Sequence, residues 1–219
     1  MKTNKETIVI SSIGLVFLVG FFGFIALKGP QVAGVATATL KDKTYLVRNK
    51  SHMTGALGAK VTVVEFGDYQ CPACAIYNPA LRQIIDAYKN NPDFNFVYRN
   101  FPLPQHQNAW ISAETAESAG EQGKYWEMHN LLFERQNDWA ESKDPISLFI
   151  DYGKQLGLDT KKLRDDISTN KFASFIQSDL TDGNSIPINH TPTVYINGVE
   201  ETNLDFQNLK TKIDLLLNL

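Results

Sequence analysis

Cysteine is nearly absent from this chain, with two in 219 residues. That excludes a disulfide framework of the kind that supports small secreted domains. Methionine is scarce as well: Met1, Met53 and Met128 lie far apart, so no thioether cluster is available for a soft metal. The four histidines, His52, His106, His129 and His190, show no close paired spacing such as zinc sites use. Positive charge is not in excess. Lys and Arg number 21 against 24 Asp and Glu, for a net charge of −3 and a pI near 5.8, which leaves no electrostatic footprint for nucleic acid. Charged pairs such as Lys161-Lys162 read as a solvated helix face. The chain has neither internal repeats nor low-complexity segments.

What remains is concentrated. The two cysteines are Cys71 and Cys74, in the run Cys71-Pro72-Ala73-Cys74. Random placement would give this spacing roughly one time in a hundred, so the spacing is informative. Before the pair lies Val61-Thr62-Val63-Val64-Glu65-Phe66, a β-branched, apolar run that reads as a buried strand. After it, Tyr77, Leu81, Ile84, Ile85 and Tyr88 share one helical face, and Pro79 inside that helix is expected to kink it. The order strand, turn, Cys-x-x-Cys, helix places Cys71 at a helix N-terminus. There, free N–H groups and the helix dipole favour a thiolate, the nucleophile of disulfide exchange. Cys74, one turn in, is then the resolving thiol. Two other readings stand beside this one. Half of a zinc site needs two further ligands, and an inert disulfide across three residues closes too small a loop to add much stability.

With these residues in view the chain resembles the thioredoxin superfamily, and within it the DsbA-like, membrane-tethered thiol–disulfide oxidoreductases. The resemblance rests on Val64 to Cys74, on Tyr98-Arg99-Asn100-Phe101-Pro102-Leu103, and on His190-Thr191-Pro192-Thr193-Val194-Tyr195-Ile196-Asn197-Gly198. It implies a match over about residues 40–219. It implies a cis peptide bond at Thr191-Pro192 opposite the redox pair, with the backbone of Thr191, together with Pro72, Ala73 and His190, meeting the substrate. It also implies that Glu65 is a buried acid moving protons to and from Cys74, which its apolar neighbours Val63, Val64 and Phe66 favour. Asp68, nearer the turn, is expected to be exposed and to disfavour the thiolate slightly. Two departures stand out. Ala73 occupies the place of a histidine in the strongly oxidising type, so a less depressed Cys71 pKa is expected. His190 stands where the tethered relatives commonly have glycine, and near Cys71 it would supply positive charge.

The expected architecture is α/β: a thioredoxin-like fold with an inserted helical subdomain, preceded by one N-terminal transmembrane helix. Residues 1–27 hold a short cytoplasmic stub and the anchor, because Ile8–Leu27 is an apolar stretch of 20 residues, long enough for a bilayer of about 30 Å. It exceeds a signal-peptide core, and Ala36-Thr37-Ala38 lies too far downstream for cleavage. Residues 28–43 are a linker, and 44–219 are the catalytic domain. Within it, strands are expected at Thr44–Arg48, Val61–Phe66, Phe94–Arg99, Thr193–Ile196 and Val199–Thr202. Helical periodicity fills an insertion at about 106–182, where His106 and His129 read as plain helix residues and Trp110, Trp126 and Trp139 as core. Asn197-Gly198 predicts a tight hairpin and Leu204–Leu217 a closing helix. Lysines flank the apolar stretch on both sides, so charge does not orient it; disulfide chemistry does, and places residues 28–219 outside the cytoplasm. The expected function is dithiol–disulfide exchange on reduced extracytoplasmic proteins, with no cofactor beyond the Cys71–Cys74 couple, no metal, and a quinone-linked membrane partner as reoxidant. A tethered reductase or isomerase is the alternative with the same fold, and a copper-delivery module the alternative of another class.

Overall fold

A computed structural model describes residues 46–186 and 188–219. The expected anchor at 8–27, the linker at 28–43 and the start of the first expected strand lie outside these residues. Among the described residues no helix is long and apolar enough to cross a membrane.

The elements follow in the order β1 (His52–Met53), β2 (Val61–Gly67), α1 (Pro72–Tyr88), β3 (Phe94–Asn100), α2 (Ala109–Glu121), α3 (Tyr125–Glu134), α4 (Gln136–Trp139), α5 (Pro145–Gln155), α6 (Thr160–Ser168), α7 (Ala173–Ser185), β4 (Thr193–Ile196), β5 (Val199–Glu201) and α8 (Phe206–Leu217). The strands form one mixed sheet in the order β1-β3-β2-β4-β5. β2 and β3 are parallel, with α1 as their crossover, and β4 runs antiparallel to β2. β2 is central and covered on both faces, which is why its sequence reads as an apolar run rather than an alternation. Val61, Val63, Phe94, Phe96 and Tyr98 pack on one face with Leu81 and Ile84 of α1, Leu209 and Ile213 of α8, and the helical insert. Val64, Phe66, Val97, Phe101 and Tyr195 pack on the other. The hairpin between β4 and β5 turns at Asn197 (φ 50°) and Gly198 (φ 86°), the two positive values that a primed turn requires.

Several expectations are corrected. Leu46–Arg48 is not a strand: a turn links the Ser51 N–H to the carbonyl of Arg48, while Leu46 is buried and its carbonyl accepts from Arg99 (2.9 Å). The edge strand comes later, at His52–Met53. β5 stops at Glu201, and α8 starts at Phe206 because Asp205 caps it, accepting from the N–H of Asn208 (2.9 Å). As expected, Pro79 lies inside α1, which runs from Pro72 to Tyr88. The helical insert runs from Ala109 to Ser185, and His106 precedes it in a loop. Trp139 is fully buried in the core, with Trp110 and Trp126 packed against it.

Candidate active site

β2 delivers the chain to the site and a four-residue turn sets its geometry. The Asp68 carboxylate accepts from the N–H of Gln70 (2.8 Å), and the N–H of Cys71 bonds the carbonyl of Asp68 (3.0 Å). Cys71 is thereby the extended N-cap of α1, with φ −67° and ψ 122°. Pro72 follows at the start of the helix, where a missing N–H leaves nothing unpaired. Cys71 is 7% exposed and Cys74 fully buried, and both thiols are free.

The two thiols have opposite electrostatics. The Cys71 thiol is pulled down to about 5, first by the hydrogen bond from Cys74, then by the Thr191 side chain and by the N–H groups of Cys74 and Ala73, against the cost of its burial. As a thiol it donates to the carbonyl of Thr191 (3.3 Å); among the described residues the Thr191 hydroxyl has no hydrogen-bond partner, which leaves it available to the thiolate. Burial pushes the Cys74 thiol well up, helped by the bond it gives Cys71 and by the charge of Glu65. Its sulfur accepts from the N–H of Asp68 (3.5 Å).

Glu65, in β2, is 1% exposed. Burial pushes its carboxyl up to about 8, and the charge of Cys71 adds to this. Among the described residues, neither of its oxygens has a hydrogen-bond partner. Opposite the pair, Thr191-Pro192 is a cis peptide bond with both residues buried. Pro72 is exposed and Ala73 half-buried beside the thiol. The site therefore brings together Cys71, Cys74, Glu65, Thr191 and Pro192. His190 does not join Cys71: its Nδ1 bonds Thr193 Oγ1 (2.9 Å), its Nε2 faces Glu200 (3.9 Å), and its side chain is more than half exposed.

Asp68 departs most from expectation. It is buried, not exposed, because Leu103 N–H (2.9 Å) and His106 Nδ1 (2.6 Å) also bond its carboxylate. The helical insert grips the same turn. Gln136 Nε2 donates to the carbonyls of Tyr69 (2.7 Å) and Cys71 (3.0 Å). Gln70 donates to Ala140 (2.7 Å) and accepts from the N–H of Asn108 (2.6 Å), whose side chain holds the Trp139, Ala140 and Ser142 carbonyls. Tyr69 OH meets Tyr125 OH (3.2 Å) and His129 Nδ1 (3.0 Å). Burial drops His129 to about 3, so it is neutral. Sequence reasoning missed His106, Asn108 and Gln136 as parts of the site. Their only local signal is a polar residue beside helical apolar periodicity.

Among the described residues, no group of three or more His, Cys, Asp and Glu is placed to hold a metal ion.

A family model described as thioredoxin matches residues 48–215. The chain belongs to the thioredoxin family. Among curated relatives, disulfide bond formation protein D of Bacillus subtilis is 29% identical over 163 residues, covering 71% of this chain and 72% of its own. The Na(+)/H(+) antiporter NhaA 1 of Salinispora arenicola is 35% identical over 174 residues, covering 79% of this chain but 26% of its own. The chain thus spans about a quarter of the length of that relative. The crystal structure of oxidised BdbD from Bacillus subtilis superposes with a TM-score of 0.70 at 26% identity, over 83% of this chain and 97% of that one. Wolbachia pipientis alpha-DsbA1 gives the same TM-score at 18% identity, over 79% and 94%, a likeness of fold.

Proposed function

We propose that this chain is a thiol–disulfide oxidoreductase that introduces disulfides into reduced extracytoplasmic proteins. The observation that carries the reading is the split between the two thiols at the start of α1: Cys71 drawn down to about 5, Cys74 raised, and a buried carboxyl at about 8 on the neighbouring strand. A thiolate stabilised in the reduced form makes the disulfide form the stronger oxidant. The Bacillus subtilis relative is a disulfide bond formation protein, which supports the same direction.

In the forward reaction a substrate thiolate attacks Cys71 Sγ and the Cys71–Cys74 bond breaks. Cys74 leaves as a thiolate and takes the proton of Glu65. A second substrate thiolate attacks the substrate sulfur of the mixed disulfide, leaving Cys71 as the thiolate. The substrate loses two electrons and the couple gains them. Reoxidation reverses the roles: Cys71 attacks a partner's disulfide, Glu65 carboxylate takes the Cys74 proton, and Cys74 displaces the partner's thiolate. Thr191 and Pro192, with exposed Pro72 and half-buried Ala73 beside the thiol and exposed His190 two residues before Pro192, form the surface that meets the substrate. Exchange between a dithiol and a disulfide requires no further cofactor.

The apolar stretch Ile8–Leu27 anchors the chain in the membrane, with the N-terminus cytoplasmic and residues 28–219 in the cell envelope outside it. The reoxidant is a quinone-linked membrane protein. The deciding experiment is the equilibrium potential of the Cys71–Cys74 couple against glutathione. A value well above about −200 mV is expected; one near −270 mV would reverse the electron flow and make the chain a tethered reductase.

A further inference from the structure

Glu65 and Tyr98 are register partners on the parallel strands β2 and β3, so their side chains leave the same face of the sheet. Both are 1% exposed. Among the described residues, neither the Glu65 carboxyl oxygens nor the Tyr98 hydroxyl has a hydrogen-bond partner. Both groups close on the space left by Gly67. A methyl group there would sit 2.8 Å from the Tyr98 hydroxyl, 2.6 Å from its ring and 3.0 Å from Glu65 Oε1. The hydroxyl and the carboxyl oxygen are therefore at most about 6 Å apart, a span that one bridging water covers.

A buried carboxylate without a donor is costly, so what else faces it matters. From α1 come the thiols of Cys71 and Cys74, and from the turn after β2 the phenol of Tyr69. α3 adds Tyr125 and His129 around Tyr98, and on β4 the partner of Glu65 is Val194. His129 is neutral and none of these groups is a cation. Arg99, next along β3, bonds Asp179 and Asp182. Among the described residues, the Tyr98 hydroxyl is a polar donor on the carboxyl's own face that no acceptor claims.

We propose that Tyr98 is a positioning residue for the resolving step: its hydroxyl donates to the Glu65 carboxylate, directly or through one water, in the space that Gly67 keeps open. The inference rests on the reading of Glu65 as the proton acceptor for Cys74 and extends it. The ionised carboxylate is stabilised by a charge-assisted bond that the neutral acid makes only weakly, so Tyr98 makes Glu65 a readier base near neutral pH. When Cys74 gives its proton to that carboxylate, its thiolate attacks the Cys71 sulfur of a mixed disulfide and the partner's thiolate leaves; the hydroxyl keeps its own proton throughout.

The test is a ¹³C titration of the Glu65 carboxyl in the full chain with the cysteines oxidised, which removes the Cys71 charge. Tyr98→Phe keeps the ring and removes only the donor. Its Glu65 midpoint is expected to rise by about one pH unit, as loss of a hydrogen bond to a charged group implies. An unmoved midpoint overturns the proposal. Gly67→Ala, which displaces the hydroxyl and keeps it in the chain, gives a second reading: a rise is expected, and no change counts against the pairing. The parent reading fails separately. If Glu65→Gln leaves the pH profile of Cys74-dependent mixed-disulfide resolution as in the wild type, Glu65 is not the proton acceptor, and the carboxyl titration still decides whether Tyr98 bonds it.

Discussion

At the scale of single residues, three positions from Cys71 to Cys74 separate a thiol that ionises from one that does not. The difference is position in one helical turn: Cys71 receives the hydrogen bond of the Cys74 thiol and, after that, faces the first N–H groups of α1, whereas Cys74 is fully buried among core residues. Two outcomes follow. Alkylation of reduced protein by iodoacetamide should modify one thiol with a pH midpoint near 5, and Cys71→Ser should abolish that fast phase. Cys74→Ala should keep a single reactive thiol, with its midpoint moved up by loss of the Cys74 hydrogen bond, and accumulate a mixed disulfide with substrate or glutathione, seen by mass under non-reducing conditions; rapid release of free glutathione instead would contradict the assignment of Cys74 as the resolving thiol. This much was legible in the sequence, because the strand–turn–helix order around the pair is local. Asp68 was misread for the opposite reason. Two of its partners, Leu103 and His106, lie 35 and 38 positions away, and nothing in the turn announces them.

At the scale of elements, the helical insert is a brace as well as a cover. α4 is a single turn, yet through Gln136 it holds the backbone carbonyls on either side of Gln70, and Asn108 ties the loop before α2 to the segment after α4. The Cys71 carbonyl also accepts from the N–H of Ala75 (3.2 Å), so Tyr69 depends more on Gln136. Gln136→Leu should therefore destabilise the domain by about 1–3 kcal/mol, the cost of leaving a buried carbonyl without its donor. Urea unfolding measures it; a loss below about 0.5 kcal/mol would mean that water replaces the amide. The helices themselves were visible from their 3.6-residue periodicity, and the hairpin from Asn197-Gly198. The amide clamp was not, because a glutamine on a helix shows its partner only once the helix is docked. The edge strand was misplaced because the apolar character of Leu46 and Val47 serves the second core face rather than a ladder.

At the scale of the whole molecule, redox state and pH are coupled through two groups that pull in opposite directions. In the reduced protein Cys71 is depressed to about 5 from an unfolded value near 8.5, so the stability it contributes is full above about pH 8.5 and is lost as pH falls through 5. Glu65 is raised to about 8 from near 4.3, so its contribution is full below about pH 4.3 and is lost as pH rises through 8. Between pH 5 and 8 the two slopes oppose each other, and the reduced form should hold a nearly level stability. Oxidation removes the titrating Cys71 thiol and keeps the burial that raises Glu65, so the oxidised form should lose stability across the same window. The lead of the reduced form over the oxidised form therefore widens with pH. Urea unfolding of both redox states at pH 5, 6.5 and 8 reads this directly, and parallel curves would refute it. Glu65→Gln supplies the internal control: without the carboxyl, the oxidised form should become flat and the reduced form should gain stability as pH rises from 5 to 8. That pattern would assign the falling slope to one buried acid and the rising one to one thiolate at the start of α1.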